Sequence, residues 1–457
     1  MGLRNSLYMK HLQELSSLYE QRLVLKRNNL LCWLDFDDME RRMEAHVNEL
    51  ATAGSGVLSL CREQIMEGDA GEYYAAVRII GKMGGHGMLK DLICQMDMAG
   101  DDRVDAFTDA LCHESPQGLE RDFIQFLLGS DEQRARIAAR VISFHRLDFV
   151  SELYDSLFEY QDRKAVVLDV IHALGRLRSR YGAERLLSYL YNRDADMVEA
   201  AITALVRIGE RGALTECMAF IGPCGWSGLS LGLYGGRDDM GDFLFSVTAG
   251  EDEEVPVSPD RVIATGLIGN PALLHDLIYW LEVPHLAENA ALSLDLITGA
   301  GLYEQHANPD GVCDHDLADH GKMPWKHETL YPERPYPGKT TERPARNPEL
   351  WNDWIKKNGR FFSPDVRYRN GRPCSPSGLV DNMKSLKKPD LIRNLASEEL
   401  VIRYGVDIPF DTRMTVYHQL QAIERCMIRL QGNPDHFTDG LWYYRREPLE
   451  NQCMGFP

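Results

Sequence analysis

Apolar, helix-like runs recur along this chain with a period of 30–33 residues. A pair of short helices has an apolar face too wide to bury against one partner, so neighbouring pairs must stack. The recurrence therefore predicts an all-α fold, an α-solenoid of HEAT-like helical hairpins. The aligned positions of five consecutive runs are separated by 30, 33, 32 and 31 residues: Ala76, Ala106, Ala139, Ile171 and Ile202.

Residues at the edges of the runs predict where helices begin and end. An Asp just before a run can cap a helix or favour its dipole. A Gly just after a run suits a left-handed residue that ends a helix. The predicted starts are at Asp131, Asp162, Asp194 and Asp260, and the predicted ends are at Gly175, Gly209 and Gly269. Small pairs such as Ala200-Ala201 allow neighbouring helices to approach closely.

Changes in composition divide the chain into five segments. They are an N-terminal helical cap (1–56), a HEAT-like repeat array (57–302), a Pro/aromatic-rich strap (303–373), a C-terminal helical pair (374–430) and an irregular tail (431–457). In the helical pair, Ser375 followed by Pro376 is typical of a helix start.

The strap interrupts an otherwise regular array. Its nine prolines exclude long helices, while its many aromatic residues favour an ordered segment packed onto the array. Aromatic residues and Arg are also the types that dominate protein interfaces, so we expect a partner to dock here. The alternative is that the aromatics only cover apolar faces of the last repeats. The candidate partner-binding residues are Trp325, Tyr331, Arg334, Tyr336, Trp351 and Trp354.

Net charge and cysteine usage indicate the class of partner and the cellular compartment. The net charge of −19 repels phosphate backbones, so nucleic acid is not expected. The ten cysteines are scattered without a CxxC pair, which fits a reducing, cytoplasmic compartment. No stretch has the roughly 20 consecutive apolar residues of a membrane span. We therefore expect a cytoplasmic chain that binds protein.

Few residues suggest chemistry. The stretch "CDHDLADHG" (313–321) contains His315 and His320, and His327 follows it. With Asp314, Asp316 and Asp319 they could supply metal ligands, but their spacing matches no closed zinc site. The His-Glu pair at His113 is interpreted as a surface helix end. Phosphate-binding and nucleophile-elbow motifs are lacking. The expectation is no catalytic residue, no metal and no cofactor.

Four stretches together resemble bacterial HEAT-repeat proteins encoded beside type VI secretion genes. They are "DMERRMEAHVNELATAG" (38–54), "LIGNPALLHDLIYWLEVPHLAENAALSLDLITGAGL" (267–302), "RFFSPDVRYRNGRPCSP" (360–376) and "LIRNLASEELVIRYG" (391–405). The strap departs from the family pattern, because only "LWNDW" is similar to its double-Trp element. The resemblance implies a cytoplasmic helical repeat protein associated with the secretion apparatus or its cargo.

These observations predict a non-catalytic protein-binding scaffold, an adaptor or chaperone for a type VI secretion effector or spike component. One alternative is an immunity protein that blocks a basic toxin. Another is a metal-dependent enzyme that uses the His/Asp cluster of 313–328. Nucleic-acid binding is the weakest alternative.

Overall fold

The computed structural model describes residues 3–27, 31–95, 101–114, 118–220, 225–236, 257–307, 330–331, 340–432 and 437–449. Helices dominate these residues and pack side by side in chain order, which confirms the predicted mostly helical architecture. Short 3-10 helices follow some of them, as at Arg211–Phe220 and Gly359–Phe361.

The α-helices of the first half of the chain are α1 Leu3–Lys26, α2 Asp37–Thr52, α3 Ser55–Glu67, α4 Ala70–Lys82, α5 His86–Gln95, α6 Asp101–His113, α7 Glu120–Leu127, α8 Glu132–His145, α9 Val150–Glu159, α10 Lys164–Leu177, α11 Ala183–Tyr189, α12 Ala195–Ile208 and α13 Gly225–Tyr234. Those of the second half are α14 Pro259–Ile268, α15 Leu274–Trp280, α16 Ala287–Thr298, α17 Pro348–Asn358, α18 Pro376–Met383, α19 Asp390–Tyr404 and α20 Val416–Gly432.

Three two-stranded antiparallel sheets accompany the helices in the described residues and are small additions to the mostly helical architecture. The strands are β1 Tyr303–Ala307, β2 Thr340–Pro344, β3 Tyr368–Arg369, β4 Arg372–Pro373, β5 Tyr443–Tyr444 and β6 Glu447–Pro448. The pairs are β1 with β2, β3 with β4 and β5 with β6. Within the same residues, every helix is too short or too polar to cross a membrane.

The chain folds into two compact units. The first comprises residues 1–183, 312–337 and 413–419, and the second comprises 184–311, 338–412 and 420–457. Each unit is described by itself below.

In the first unit, α4, α6, α8 and α10 pack against one another in succession. The recurrent positions Ala76, Ala106, Ala139 and Ile171 lie on these four helices, and all four side chains are fully buried. The 30–33-residue recurrence therefore marks one row of packed helices. Shorter helices pack against this row, since α7 packs on α8 and α9 packs on α10.

In the second unit, α13, α14 and α16 pack in succession, and α15 packs on α16. The fifth recurrent position, Ile202, is buried on α12. Gly269 and Gly299 adopt left-handed conformations that end α14 and α16. These glycines end helices as expected from their backbone freedom.

The predicted helix boundaries are only partly correct. Side chains of Asp131 and Asp194 accept hydrogen bonds from the backbone N–H of Arg134 and Asp196, which confirms these two caps. Arg163 occupies the N-cap position of α10, so Asp162 does not cap the helix and lies one residue before the cap, where the predicted favourable interaction with the dipole is still possible. Ser258 caps α14, and Asp260 lies in its first turn.

The prediction that Gly175 ends a helix is wrong. Gly175 lies inside α10, and the helix ends where Arg178 adopts a left-handed conformation. A non-glycine residue can take this role, although glycine is favoured there.

The strap is more regular than its proline content predicts. It contains β1, β2 and the eleven-residue helix α17. Asn347 caps α17 by accepting from Glu349 N–H, and Pro348 occupies the first turn, where a missing N–H loses no helical bond. The tail, predicted to be irregular, contains the β5–β6 hairpin. Ser375 caps α18 with Pro376 in its first turn, as predicted.

Candidate functional site

Trp351, one of the candidate partner-binding residues, is a core residue of the second unit. Its side chain is fully buried against α15 and α16, among residues that include Leu277 and Leu294. Its indole N–H donates to Ala345 O at 2.6 Å, so the polar end of the ring is satisfied inside the core. Trp351 thus fixes α17 onto the array, and any contribution to a docking surface is indirect.

Trp354 lies one turn further along α17 and is half-buried. Its ring centroid is 5.9 Å from that of Phe362, which in turn is 4.7 Å from that of Tyr368. These three rings form a continuous aromatic layer from α17 to β3. The layer leaves Phe361 pointing outward, since 66% of this side chain is exposed.

The other candidate residues of the strap are placed elsewhere. Tyr331 belongs to the first unit, where it is buried with its ring 6.1 Å from that of Trp33. Trp325, Arg334 and Tyr336 lie outside the described residues, as does the His/Asp cluster of 313–328. The structure therefore brings Trp351 and Trp354 together on one helix.

A groove of about 260 Å³ lies between α15 and α17 in the second unit. We call it the α15–α17 groove. Its lining is apolar except for one imidazole, and half of it comes from the strap. The lining residues are Pro271, Ala272, Leu274, His275, Ile355, Gly359, Phe362 and Pro364.

The strap residues that line this groove lead into the β3–β4 hairpin, which forms hydrogen bonds with the ends of two helices. Tyr368 N–H donates to Gly269 O at 2.8 Å, at the end of α14. Asn370 and Gly371 donate their N–H groups to Leu296 O at 2.7 Å and Ile297 O at 3.0 Å, at the end of α16. The last carbonyls of a helix have no hydrogen-bond donor within the helix. The β3–β4 hairpin provides donors for the ends of α14 and α16.

Four buried charged residues join this hairpin to α19: Arg369 of β3, Arg367 just before β3, and Glu399 and Arg403 of α19. The carboxylate of Glu399 forms ion pairs with the guanidinium groups of Arg367, Arg369 and Arg403. All four side chains are essentially fully buried. We call them the Glu399 cluster.

The Glu399 cluster holds three positive charges and one negative charge. Arg367 and Arg369 also donate to Leu267 O near the end of α14, at 2.9 and 3.2 Å. Arg403 donates to Gly235 O, just after α13, at 3.0 Å. Helix C-termini carry partial negative charge, so these carbonyls offset part of the excess positive charge.

The pKa shifts in the cluster follow from burial and neighbouring charge. Burial alone would raise the pKa of Glu399, but the guanidiniums of Arg367, Arg369 and Arg403 lower it below its usual range. Burial and the nearby Arg367 lower the pKa of Arg403 to about 9. Glu399 and Arg403 are therefore both ionised at neutral pH.

The tail hairpin donates hydrogen bonds to the ends of further helices in the same way. The indole N–H of Trp442 donates to Ile268 O at 3.1 Å, and the side chain of Arg445 donates to Ile208 O at 3.0 Å. The backbone N–H groups of Arg445 and Arg446 donate to Ile402 O and Arg403 O, both at 2.8 Å. The ends of α12, α14 and α19 are thus satisfied by one short hairpin.

Sequence reasoning missed the Glu399 cluster, although two local signals were present. Arg367 and Arg369 are two residues apart around Tyr368, the spacing at which strand side chains share a face. Glu399 and Arg403 are four residues apart within an apolar helical run, so they share its buried face.

The first unit contains a buried polar network at His113. Its Nδ1 lies 2.9 Å from the hydroxyl of Tyr74, and its Nε2 lies 3.2 Å from Arg413 O. Burial, with the charges of Arg22 and Arg78, lowers the pKa of His113 well below its usual value. The interpretation of His113 as a surface residue is therefore wrong, and its bonds give it a packing role.

Arg22 and Glu40 extend this network. Arg22 Nε donates to Glu40 Oε1 at 2.7 Å, and Glu40 Oε2 accepts from Val416 N–H at 2.5 Å. A carboxylate at a helix N-terminus is favoured by the dipole, so Glu40 stabilises the start of α20. Across the described ranges, no three His, Cys, Asp or Glu side chains are arranged to hold a metal ion.

Comparison of the chain with protein-family models, with curated proteins and with solved structures gives no significant match.

Proposed function

We propose that this chain is a non-catalytic protein-binding scaffold, an α-solenoid of HEAT-like hairpins that acts in the cytoplasm as an adaptor or chaperone for a type VI secretion effector or spike component. The observation that carries the proposal is the α15–α17 groove. One of its walls is a helix of the array, and the other is the helix of the strap.

The size and lining of the groove favour a protein ligand. Its volume of about 260 Å³ lies below the roughly 300–1,000 Å³ of small-molecule sites. Leu274, Ile355 and Phe362 offer apolar walls, with His275 as a single polar group. Such a groove suits one or two apolar side chains that protrude from a protein surface.

The wall formed by the strap is preorganised. Trp351 is fully buried beneath α17, and the β3–β4 hairpin is bonded to the ends of α14 and α16. A preformed wall lowers the ordering entropy lost on binding. The association with type VI secretion rests on the four stretches of sequence resemblance.

The test fills the groove without removing a core side chain. Ala272 lines the groove and is exposed, so Ala272→Trp should occupy it while the fold is retained. Ser188→Trp on the exposed face of α11 is the matched control. Tagged wild type and both variants would be purified from the native host, and the co-purifying proteins identified by mass spectrometry.

We expect wild type and Ser188→Trp to retain an effector or spike component that Ala272→Trp loses. Retention of the same protein by Ala272→Trp would refute docking at the groove. Recovery of partners unrelated to secretion would refute the assignment to that apparatus.

A further inference from the structure

The Glu399 cluster and its neighbour Tyr404 contain more hydrogen-bond donors than acceptors. In the part of the chain that the structure describes, five of their buried donor atoms make no hydrogen bond: Nε and Nη1 of Arg367, Nε of Arg369, Nε of Arg403 and the hydroxyl of Tyr404. We call these five atoms the orphaned donors. A buried donor without an acceptor is costly, so several of them in one place indicate a bound acceptor.

Glu399 does not serve the orphaned donors. Its two oxygens already accept from Nη2 of Arg367 and Nη2 of Arg369. Arg403 Nε approaches Glu399 Oε2 only to 3.5 Å and makes no hydrogen bond there. The carbonyls at the nearby helix ends accept from Nη atoms of the same arginines, not from the orphaned donors.

The charge of the site is also unbalanced. Three guanidiniums and one carboxylate leave an excess of two positive charges. The ion pair of Lys388 with Asp295, whose lysine is close enough to Arg369 for their charges to interact, adds one charge of each sign. Buried charge without compensation is strongly unfavourable, and one bound anion would remove half of this excess.

The orphaned donors of three residues lie close together. The charge of Arg367 is near enough to Arg403 to lower its pKa. Burial raises the pKa of Tyr404, and the guanidiniums of Arg367 and Arg403 act on it in the opposite direction. The donors of Arg367, Arg403 and Tyr404 therefore belong to one site.

We propose that this site binds one monatomic anion of the chloride class, held by the orphaned donors of Arg367, Arg403 and Tyr404. A guanidinium has donors only, and a water molecule there would bring hydrogens that need acceptors of their own, whereas a halide only accepts. The donors belong to essentially fully buried side chains, which favours a single-atom ion over a larger anion such as sulfate. The bound ion would link the strap hairpin to α19, a role separate from the α15–α17 groove.

The test measures how different anions change the thermal unfolding of the full chain. Circular dichroism would follow unfolding in a chloride-free buffer at increasing concentrations of sodium chloride, sodium bromide or sodium gluconate. An anion that binds only the folded chain raises the melting temperature by mass action. Chloride and bromide should therefore raise it steadily, whereas gluconate, which is too large for the site, should give only the smaller effect of ionic strength. Equal effects of the three salts would overturn the proposal.

Tyr404→Phe tests the position of the anion, because it removes one orphaned donor and keeps the ring. The chloride effect should begin at a concentration about tenfold higher or more, the consequence of losing one hydrogen bond to a charged group. Tyr443→Phe is the matched control. Its ring lies 5.5 Å from that of Tyr404, but its hydroxyl accepts from Thr438 N–H. The control should keep the wild-type difference between chloride and gluconate. An unchanged chloride effect in Tyr404→Phe would exclude this site.

Cys374 is the rival source of negative charge. It is a buried free cysteine, and as a thiolate its charge would act on Arg367. If an anion balances the site, Cys374→Ala should show the same chloride effect as wild type. A chloride effect that is lacking in wild type and appears only in Cys374→Ala would assign the compensating charge to the thiolate and overturn the proposal.

Discussion

The helices α4, α6, α8 and α10 of the first unit are held by many similar contacts, whereas the ends of α14, α16 and α19 in the second unit are held by a few unlike ones. In the row of the first unit, each helix buries small or branched apolar residues against the next, as at Ala106 and Ala139. At the helix ends, the Glu399 cluster and two hairpins supply the contacts.

The ion pairs of the two regions show the same difference. In the first unit, Asp169 pairs with Arg136 and Arg140 from the neighbouring helix at 3.1 and 2.9 Å, and its side chain is 14% exposed. In the second unit, Glu399 is fully buried. Water screens the first set and not the second, so the loss of one carboxylate should matter far more in the second unit.

Glu399→Gln should have the largest effect. It leaves three buried guanidiniums without their shared carboxylate, which should lower the free energy of unfolding by about 3–5 kcal/mol. Asp169→Asn is the control and should lower it by about 1 kcal/mol or less. Denaturant unfolding of both variants would measure the difference, and equal losses would show that the two regions are not distinct.

The same substitution gives a pH dependence with a defined sign. The pKa of Glu399 is lower in the folded chain than its unfolded value of about 4.3. Its stabilising contribution is therefore complete above that pH and is lost as pH falls through the folded pKa. The difference in stability between wild type and Glu399→Gln should be constant from neutral pH to about pH 5 and shrink below about pH 4. A difference that grows in acid would contradict this assignment.

Ala201→Asp should destabilise the packing of α12 in the second unit by about 3 kcal/mol or more. Ala201 is fully buried on α12, and an unpaired carboxylate there must be desolvated or protonated. Thr203→Asp, at a half-buried position of the same helix, is the control. Circular dichroism during heating would compare them, and an unchanged melting temperature for Ala201→Asp would mean that α12 is packed differently.

Gly371→Ala should have an intermediate effect, confined to the strap hairpin. Gly371 has φ of +76°, and a Cβ there would lie 2.4 Å from Thr298 O. Strain and displacement of the hairpin should lower the free energy of unfolding by about 2 kcal/mol. In Gly378→Ala the new Cβ meets only Ser375 Oγ at 3.5 Å, so stability should be unchanged or slightly higher. Similar losses in both variants by denaturant unfolding would contradict the close approach.

The smallest effects concern the helix caps. Asp194→Ala should cost about 1 kcal/mol, because it removes the bond to Asp196 N–H. Asp162→Ala should leave stability unchanged, since Asp162 makes no cap. Thermal unfolding distinguishes the two substitutions, although both positions looked alike in the sequence. A measurable loss of stability in Asp162→Ala would mean that Asp162, and not Arg163, caps α10.

The row of helices could be predicted because its contacts repeat. One aligned position in each run, from Ala76 to Ile202, was enough to place five buried helix faces. The helix ends could not be predicted, because their contacts occur once and join distant residues. Arg367 reaches Leu267 across 100 positions and Glu399 across 32.

The candidate site could be predicted only in part, because its contacts also occur once. The aromatic content of the strap indicated an ordered segment, and Trp351 and Trp354 do lie on a helix packed against the array. Their individual burial was not predictable, because it depends on which face of α17 meets α15. The α15–α17 groove arises from that contact and has no signature in either helix alone.

Hydrogen exchange of the strap hairpin tests most directly whether the strap is a fixed wall of the scaffold. In wild type, the amides of Tyr368, Asn370 and Gly371 should exchange as slowly as those of α14 and α16, because they bond to those helix ends. In Glu399→Gln these three amides should exchange at least about a hundredfold faster, the consequence of losing about 3 kcal/mol locally. The amides of α8 should be unchanged. Rapid exchange of the three amides in wild type, or an equal loss of protection in α8, would contradict the fixed wall.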